Sequence, residues 1–162
     1  MHALIATWFG VGHLRPAPGT WASAVTLLIG YGLHRIGHFP LVALATLVAI
    51  AAGFWAVRGY TAEMPDKDRS EIVIDEVAGQ MIALCATSGG FWFAGLPADV
   101  FPWPGLVVPF LLFRLFDIWK PWIIGRADRR ADAAGVMLDD LLAGLFAAVA
   151  SIAAAGLSHG LM

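Results

Sequence analysis

Long apolar runs separated by short clusters of charge divide this chain. Thr20 to Gly37 carries no charge before His34 and Arg35, and Pro40 to Val57 is unbroken up to Arg58. Ile72 to Leu96 is apolar except for Asp75, Glu76 and Gln80 near its start. Pro104 to Trp119 is apolar except for Arg114 and Asp117 near its end, and Leu141 to Leu157 has no charge at all. Each run approaches the roughly 20 residues that a helix needs to cross a bilayer. The pattern predicts an all-α, polytopic membrane helix bundle with about four to five spanning helices. Met1 to Gly12 is apolar but short and has no basic lead, so it reads as an interfacial or re-entrant piece rather than a signal peptide.

Composition agrees with this. The chain is 59% hydrophobic and only 14% charged, with a mean hydropathy of +0.75. A soluble domain has about 25% charged residues, so this chain has too few to cover a soluble surface. Its 162 residues suit one domain, residues 1–162. The net charge of −2 comes without a basic tail or stripe, which argues against nucleic-acid binding. Cys85 is the sole cysteine, so an internal disulfide and a multi-cysteine zinc site are both excluded.

Threading the five runs through a bilayer in turn sorts the loops by side. Arg15, Arg58, Lys67, Arg69, Arg114, Lys120, Arg126, Arg129 and Arg130 fall on the first side, which is nine of the ten Lys and Arg. That side is therefore expected to face the cytoplasm. Eleven of the twelve acids fall there too, with Asp99 alone opposite. The positive-inside effect does not require acids to follow, so the coincidence points to a polar site at that face.

Four places supply its chemistry. Asp75-Glu76 and Asp139-Asp140 each stand at the expected start of an outward helix. Capping explains one such pair, since an acid at a helix start contributes about 1 kcal/mol, but it explains two on one face less well. Arg114, Asp117 and Lys120 recur every third residue, which lays base, acid and base along one helix face before Pro121 ends it. Pro16 to Ser23 forms a rigid turn in which Thr20 and Ser23 can cap the first spanning helix and leave N–H groups for an anion. Clustered carboxylates need cations. Mg²⁺ binds through one or two carboxylates together with substrate phosphate, and Arg and Lys suit phosphate oxygens. These residues therefore point to a metal-assisted reaction on a phosphate-bearing substrate at the cytoplasmic membrane surface.

The stretches PGTWAS at Pro18–Ser23, IDEVAG at Ile74–Gly79, FRLFDIWKPW at Phe113–Trp122 and GVMLDDLLAG at Gly135–Gly144 resemble the phosphatidylglycerophosphatase A family in order and spacing. The resemblance covers nearly the whole chain. It implies a multi-pass enzyme of the bacterial inner membrane with its active site facing the cytoplasm, surrounded by membrane lipids. Such an enzyme removes the terminal phosphate of phosphatidylglycerophosphate, leaving phosphatidylglycerol and inorganic phosphate, and requires Mg²⁺. Carried over by motif, Asp75, Glu76, Asp139 and Asp140 are the expected metal ligands. Asp75, Asp117, Asp139 and Asp140 are the expected catalytic residues, with Asp117 as ligand or general base. Thr20, Arg114 and Lys120 are expected to hold the phosphate. Asp128-Arg129 also resembles a family pair. Ala22, Ile123 and Ala133-Ala134 depart from the family's usual residues, while every charged position of the core motifs is present. Attack by water and an aspartyl-phosphate intermediate are both open, as is assembly into a homo-oligomer.

The alternative is a small membrane transporter or channel with a one-sided charged vestibule. A conduction path needs polar groups through the bilayer depth, and here they gather at one end. His34 and His38 have the spacing of a metal pair but fall on the opposite side, and they read as interfacial together with most of the seven Trp.

Overall fold

The computed structural model describes residues 1–64 and 69–160, and every regular element among them is helical. In chain order these are α1 (His2–Ala6), a 3₁₀ turn (Val11–His13), α2 (Pro18–Tyr60), α3 (Ile74–Phe93), α4 (Pro104–Trp119), α5 (Ile123–Asp128) and α6 (Ala133–Gly160). Asp66, Lys67 and Asp68, which were sorted to the charged side, lie outside the described residues.

Helix α2 joins two of the expected spans. A straight helix of its 43 residues would be about 65 Å long, but it turns back on itself at His38 (φ 55°, ψ −156°), just before Pro40. Packing against α3 shows the reversal. Gly19 abuts Glu76, Gly30 abuts Leu84, and Phe39 covers Gly89. Beyond the turn the direction inverts: Thr46 Oγ1 reaches Met81 O at 3.5 Å, and Gly53 packs on Ile74 and Met137. The two arms thus begin and end beside the start of α3. Pro40 has no N–H to continue the ladder, and the ring of His38 serves the turn instead. Its Nδ1 accepts from Phe39 N, and its Nε2 bonds Leu96 O, both at 2.9 Å. His34 and His38 were expected at an interface. They are buried, with rings 4.2 Å apart, and His34 Nδ1 bonds Ser88 Oγ at 2.8 Å.

Helix α3 runs beside both arms, α4 returns along it, and α6 crosses it with Gly144 seated on the backbone of Gly79. Helix α6 starts eight residues earlier than the apolar run beginning at Leu141 suggests. Asp139 and Asp140 therefore lie inside the helix and are not N-caps. At the start of α2, Ala17 holds the N-cap position without a side-chain cap, and Ser23 Oγ donates to Gly19 O at 2.8 Å, so Thr20 and Ser23 do not cap. Helix α1 is too short to span. It docks over the charged end of the bundle, where Ala6 O accepts from Val73 N at 2.9 Å and the His2 ring lies tilted against Trp55.

Two described helices are long and apolar enough to cross a membrane on their own, Pro18–Tyr60 and Ala133–Leu157, against the four to five expected. The number is smaller because α2 unites two runs, α4 has only 16 residues, and α3 carries its acids in the first turn. The orientation of side chains is inverted relative to a soluble bundle. Helix α6 buries Ala143, Ala147 and Ala148 while Leu145, Val149, Ile152 and Leu157 face outward. Helix α2 likewise buries Thr26, Gly30 and Ala56 and exposes Leu28, Leu44, Leu47 and Val48.

Candidate active site

The polar groups converge where α2, α3 and α6 begin and α4 ends. A cavity of about 270 Å³ opens there, lined by all eight expected site residues: Thr20, Asp75, Glu76, Arg114, Asp117, Lys120, Asp139 and Asp140. Asp75 and Glu76 occupy the first turn of α3, where the helix dipole favours negative charge. Asp140 is brought against them by the crossing of α3 and α6. Gly79 leaves no room for a Cβ beside Asp140 O and Phe113, and Gly144 leaves none beside Gly79 O. One carboxylate oxygen from each of Asp75, Glu76 and Asp140 lies within 4.8 Å of the others. Asp75 and Asp140 are buried.

The bases are anchored by separate acids. Arg114 Nη1 pairs with Asp117 Oδ2 at 2.6 Å, one helical turn away, and lies 3.5 Å from Ser23 Oγ. Lys120 occupies a left-handed position (φ 49°) at the end of α4, which aims its ammonium back toward α6. It donates to Asp139 Oδ2 at 2.8 Å and also pairs with Asp128. Burial pulls the Lys120 pKa down, but the hydrogen bonds to Asp128 and Asp139 outweigh it and leave it raised. Asp139, expected among the metal ligands, thus holds Lys120 by one oxygen, while its Oδ1 is buried with no donor. At the start of α2, Pro18 has no N–H and the first intrahelical donor is Trp21 N to Ala17 O, so the N–H groups of Gly19 and Thr20 point to the cavity end.

Six carboxylates line this cavity, together with four bases, of which Arg114 and Lys120 come from α4 and its end. Like charges at such spacing repel strongly away from bulk water. Glu76 Oε2, Asp139 Oδ1 and Arg114 Nε are buried without a hydrogen-bond partner. Orphaned hard oxygens beside a three-carboxylate cluster fit a divalent cation, and the orphaned guanidinium nitrogen fits an anion next to it. Asp75, Glu76 and Asp140 are the residues placed to hold such a cation.

Arg69, Ser70 and Arg130 also line the cavity and were not foreseen. They sit in loops, where no helical period marks a face. Asp128 was foreseen only by its resemblance to a family pair, and it reaches the site while Arg129 does not line it.

Fold and site together define an all-helical protein with an apolar exterior and one acidic, base-bearing cavity suited to a cation and a phosphate. A family model described as Phosphatidylglycerophosphatase A matches residues 4–155. The chain belongs to the phosphatidylglycerophosphatase A family, and it is a phosphatase. It is 33% identical over 147 residues to phosphatidylglycerophosphatase A of Haemophilus influenzae, covering 90% of this chain and 83% of the relative. It is 32% identical over 146 residues to phosphatidylglycerophosphatase A of Escherichia coli K12, covering 90% and 78%. A protein of Bacteroides thetaiotaomicron whose name carries the words phosphatidylinositol-3-phosphatase is 30% identical over 150 residues, covering 88% and 86%. No solved structure matches the chain.

Proposed function

We propose that this protein is a Mg²⁺-dependent phosphatidylglycerophosphatase, working at the cytoplasmic face of a bacterial inner membrane as a multi-pass protein. The observation that carries the reading is the convergence of the three-carboxylate cluster, Arg114 and Lys120 in one cavity at one end of an apolar-surfaced bundle. A lipid substrate can present its headgroup to such a cavity while its chains stay beside the outward-facing Leu, Ile and Val. The family membership and the two relatives named for this activity support the substrate. The Lys and Arg distribution supports the orientation.

Hydrolysis adds a water oxygen to phosphorus, breaks the bond from phosphorus to the glycerol oxygen, and returns a proton to the departing alcohol. Asp75, Glu76 and Asp140 would hold the Mg²⁺, which supplies Lewis acidity toward phosphate oxygens and lowers the pKa of water. Arg114 and Lys120 hold nonbridging oxygens, whose charge grows in the transition state. Asp117 fixes the Arg114 fork, and Asp128 and Asp139 fix the Lys120 ammonium. The free N–H groups of Gly19 and Thr20 add donors at a helix N-terminus.

The test is phosphate release by the purified protein in detergent from phosphatidylglycerophosphate, phosphatidic acid and phosphatidylinositol 3-phosphate, each with Mg²⁺ and with EDTA. Release favouring the first lipid, abolished by EDTA, is expected. A preference for phosphatidylinositol 3-phosphate would replace the substrate, and metal-independent release would remove the cation. No release from any lipid by folded protein would favour the transporter reading.

A further inference from the structure

A second cavity, of about 660 Å³, is larger than the one that holds the reaction site. It lies between α1, the last turns of α2 and the start of α6, and shares no lining residue with the first. Its volume falls in the range of small-molecule sites, about 300–1,000 Å³. Its walls are apolar, with Phe54 and Trp55 from α2 and Ala133 and Ala134 from α6. Two polar side chains interrupt them, His2 and Arg58. The His2 ring lies 4.2 Å from the Trp55 ring, tilted by 53°. Gly59 makes room for it, since a Cβ there would come within 2.5 Å of the imidazole. Among the described residues the Arg58 guanidinium has no ion pair or hydrogen bond, and the His2 imidazole has no hydrogen bond.

The surface leading to this cavity continues the pattern. Leu44, Leu47, Val48, Ala51 and Trp55 are exposed on the second arm of α2, and exposed Arg58 follows them. These positions fall within about 100° of one another around the helix, so they form one stripe. The stripe ends at the charged end of the bundle, where a tryptophan suits the boundary between acyl chains and headgroups. An arginine beyond such a stripe matches phosphate oxygens and takes two of them with its fork. None of the described lining residues is acidic. A choline or ethanolamine ammonium would therefore find no counter-charge there. A headgroup without a cation supplies the partner that Arg58 lacks and leaves no charge unpaired. Free phosphate would meet the same arginine but would leave the apolar walls and the stripe uncovered.

We propose that this cavity binds one anionic phospholipid of the surrounding bilayer, with its phosphodiester on Arg58 and His2 and an acyl chain along the stripe from Trp55 to Leu44. The bound lipid bridges α1, α2 and α6 at a place apart from the reacting phosphate. It is a resident of the protein and is not consumed, so the inference stands whichever lipid phosphate the enzyme cleaves.

The experiment titrates the purified full chain in neutral detergent with phosphatidylmethanol and counts bound lipid by native mass spectrometry. This probe is an anionic diester with neither a monoester phosphate nor an ammonium. Phosphatidylcholine and inorganic phosphate are the comparison ligands. Wild type should hold one phosphatidylmethanol, bind phosphatidylcholine more weakly, and keep the lipid when inorganic phosphate is added. Arg58→Gln should raise Kd about ten-fold, the loss of one charge-assisted hydrogen bond, and Arg58→Lys should recover part of the loss. Arg126→Gln removes an exposed arginine of α5 that lines neither cavity, and it should leave Kd unchanged. Phosphate release by Arg58→Gln without added phosphatidylmethanol should match wild type. A fall there with an unchanged unfolding temperature would assign Arg58 to the reaction and overturn the proposal. Equal losses in Arg58→Gln and Arg126→Gln would show general charge attraction and overturn it too. Equal binding of phosphatidylcholine, or displacement by inorganic phosphate, would do the same. A Kd that responds to Arg114→Gln and not to Arg58→Gln would place the lipid in the reaction cavity, which also overturns it.

Discussion

Gly144 of α6 rests on the backbone of Gly79 of α3, so closely that a methyl group on Gly144 would collide with Gly79 O. This contact holds the Asp140 carboxylate in reach of Asp75 and Glu76. A Cβ at position 79 would lie 2.5 Å from both Asp140 O and the Phe113 ring. Gly79→Ala should therefore push α6 away, at a cost typical of overpacking, about 1–3 kcal/mol. A lowered unfolding temperature in detergent together with reduced phosphate release is the expected pair of results. Release at the wild-type rate would show that the crossing does not set the site.

Asp140→Asn keeps the shape of the side chain and removes one carboxylate from the cluster. Phosphate release should fall at least about 100-fold, the scale seen when one preorganised electrostatic partner is lost. The Mg²⁺ concentration for half-maximal rate should rise. A variant with wild-type Mg²⁺ dependence would place the cation elsewhere.

Lys120 bears on pH dependence. Its pKa is raised above the ordinary 10.5 because Asp128 and Asp139 outweigh burial. A group raised on folding contributes stability that is complete below its unfolded pKa and lost only as pH climbs through the folded one. Between about pH 7 and 10 the Lys120 ammonium should therefore stay charged, and any alkaline fall in rate in that range should persist in Lys120→Arg. A limb that moves with this substitution would assign the titration to Lys120. Lys120→Met should lower the rate and the unfolding temperature together, because it leaves the buried Asp139 without its cation.

His38 offers a control far from the chemistry. Its ring replaces the backbone bonding that Pro40 interrupts in the turn of α2. His38→Ala should cost about 1–3 kcal/mol for two lost hydrogen bonds. Because the turn lies beside the far end of α3, KM for the lipid should not change. Thermal unfolding and steady-state kinetics on the same preparation would show whether the two separate.

Much of this protein was legible in the chain alone. Apolar runs set the helices, because burial and backbone hydrogen bonding act over a few turns and leave a local period. The motifs named eight of the residues that line the cavity, seven of them acids and bases that are costly inside or beside apolar runs unless they serve a site. Tertiary structure decided the rest. The reversal at His38 depends on Leu96, which lies 58 residues away and accepts the ring's hydrogen bond. That Asp139 grips Lys120 while Asp140 joins Asp75 and Glu76 follows from the close crossing at Gly79 and Gly144, which adjacency in sequence does not reveal. Arg69 and Arg130 sit in loops with no period to mark them, and they line one cavity only because α3 and α6 begin side by side.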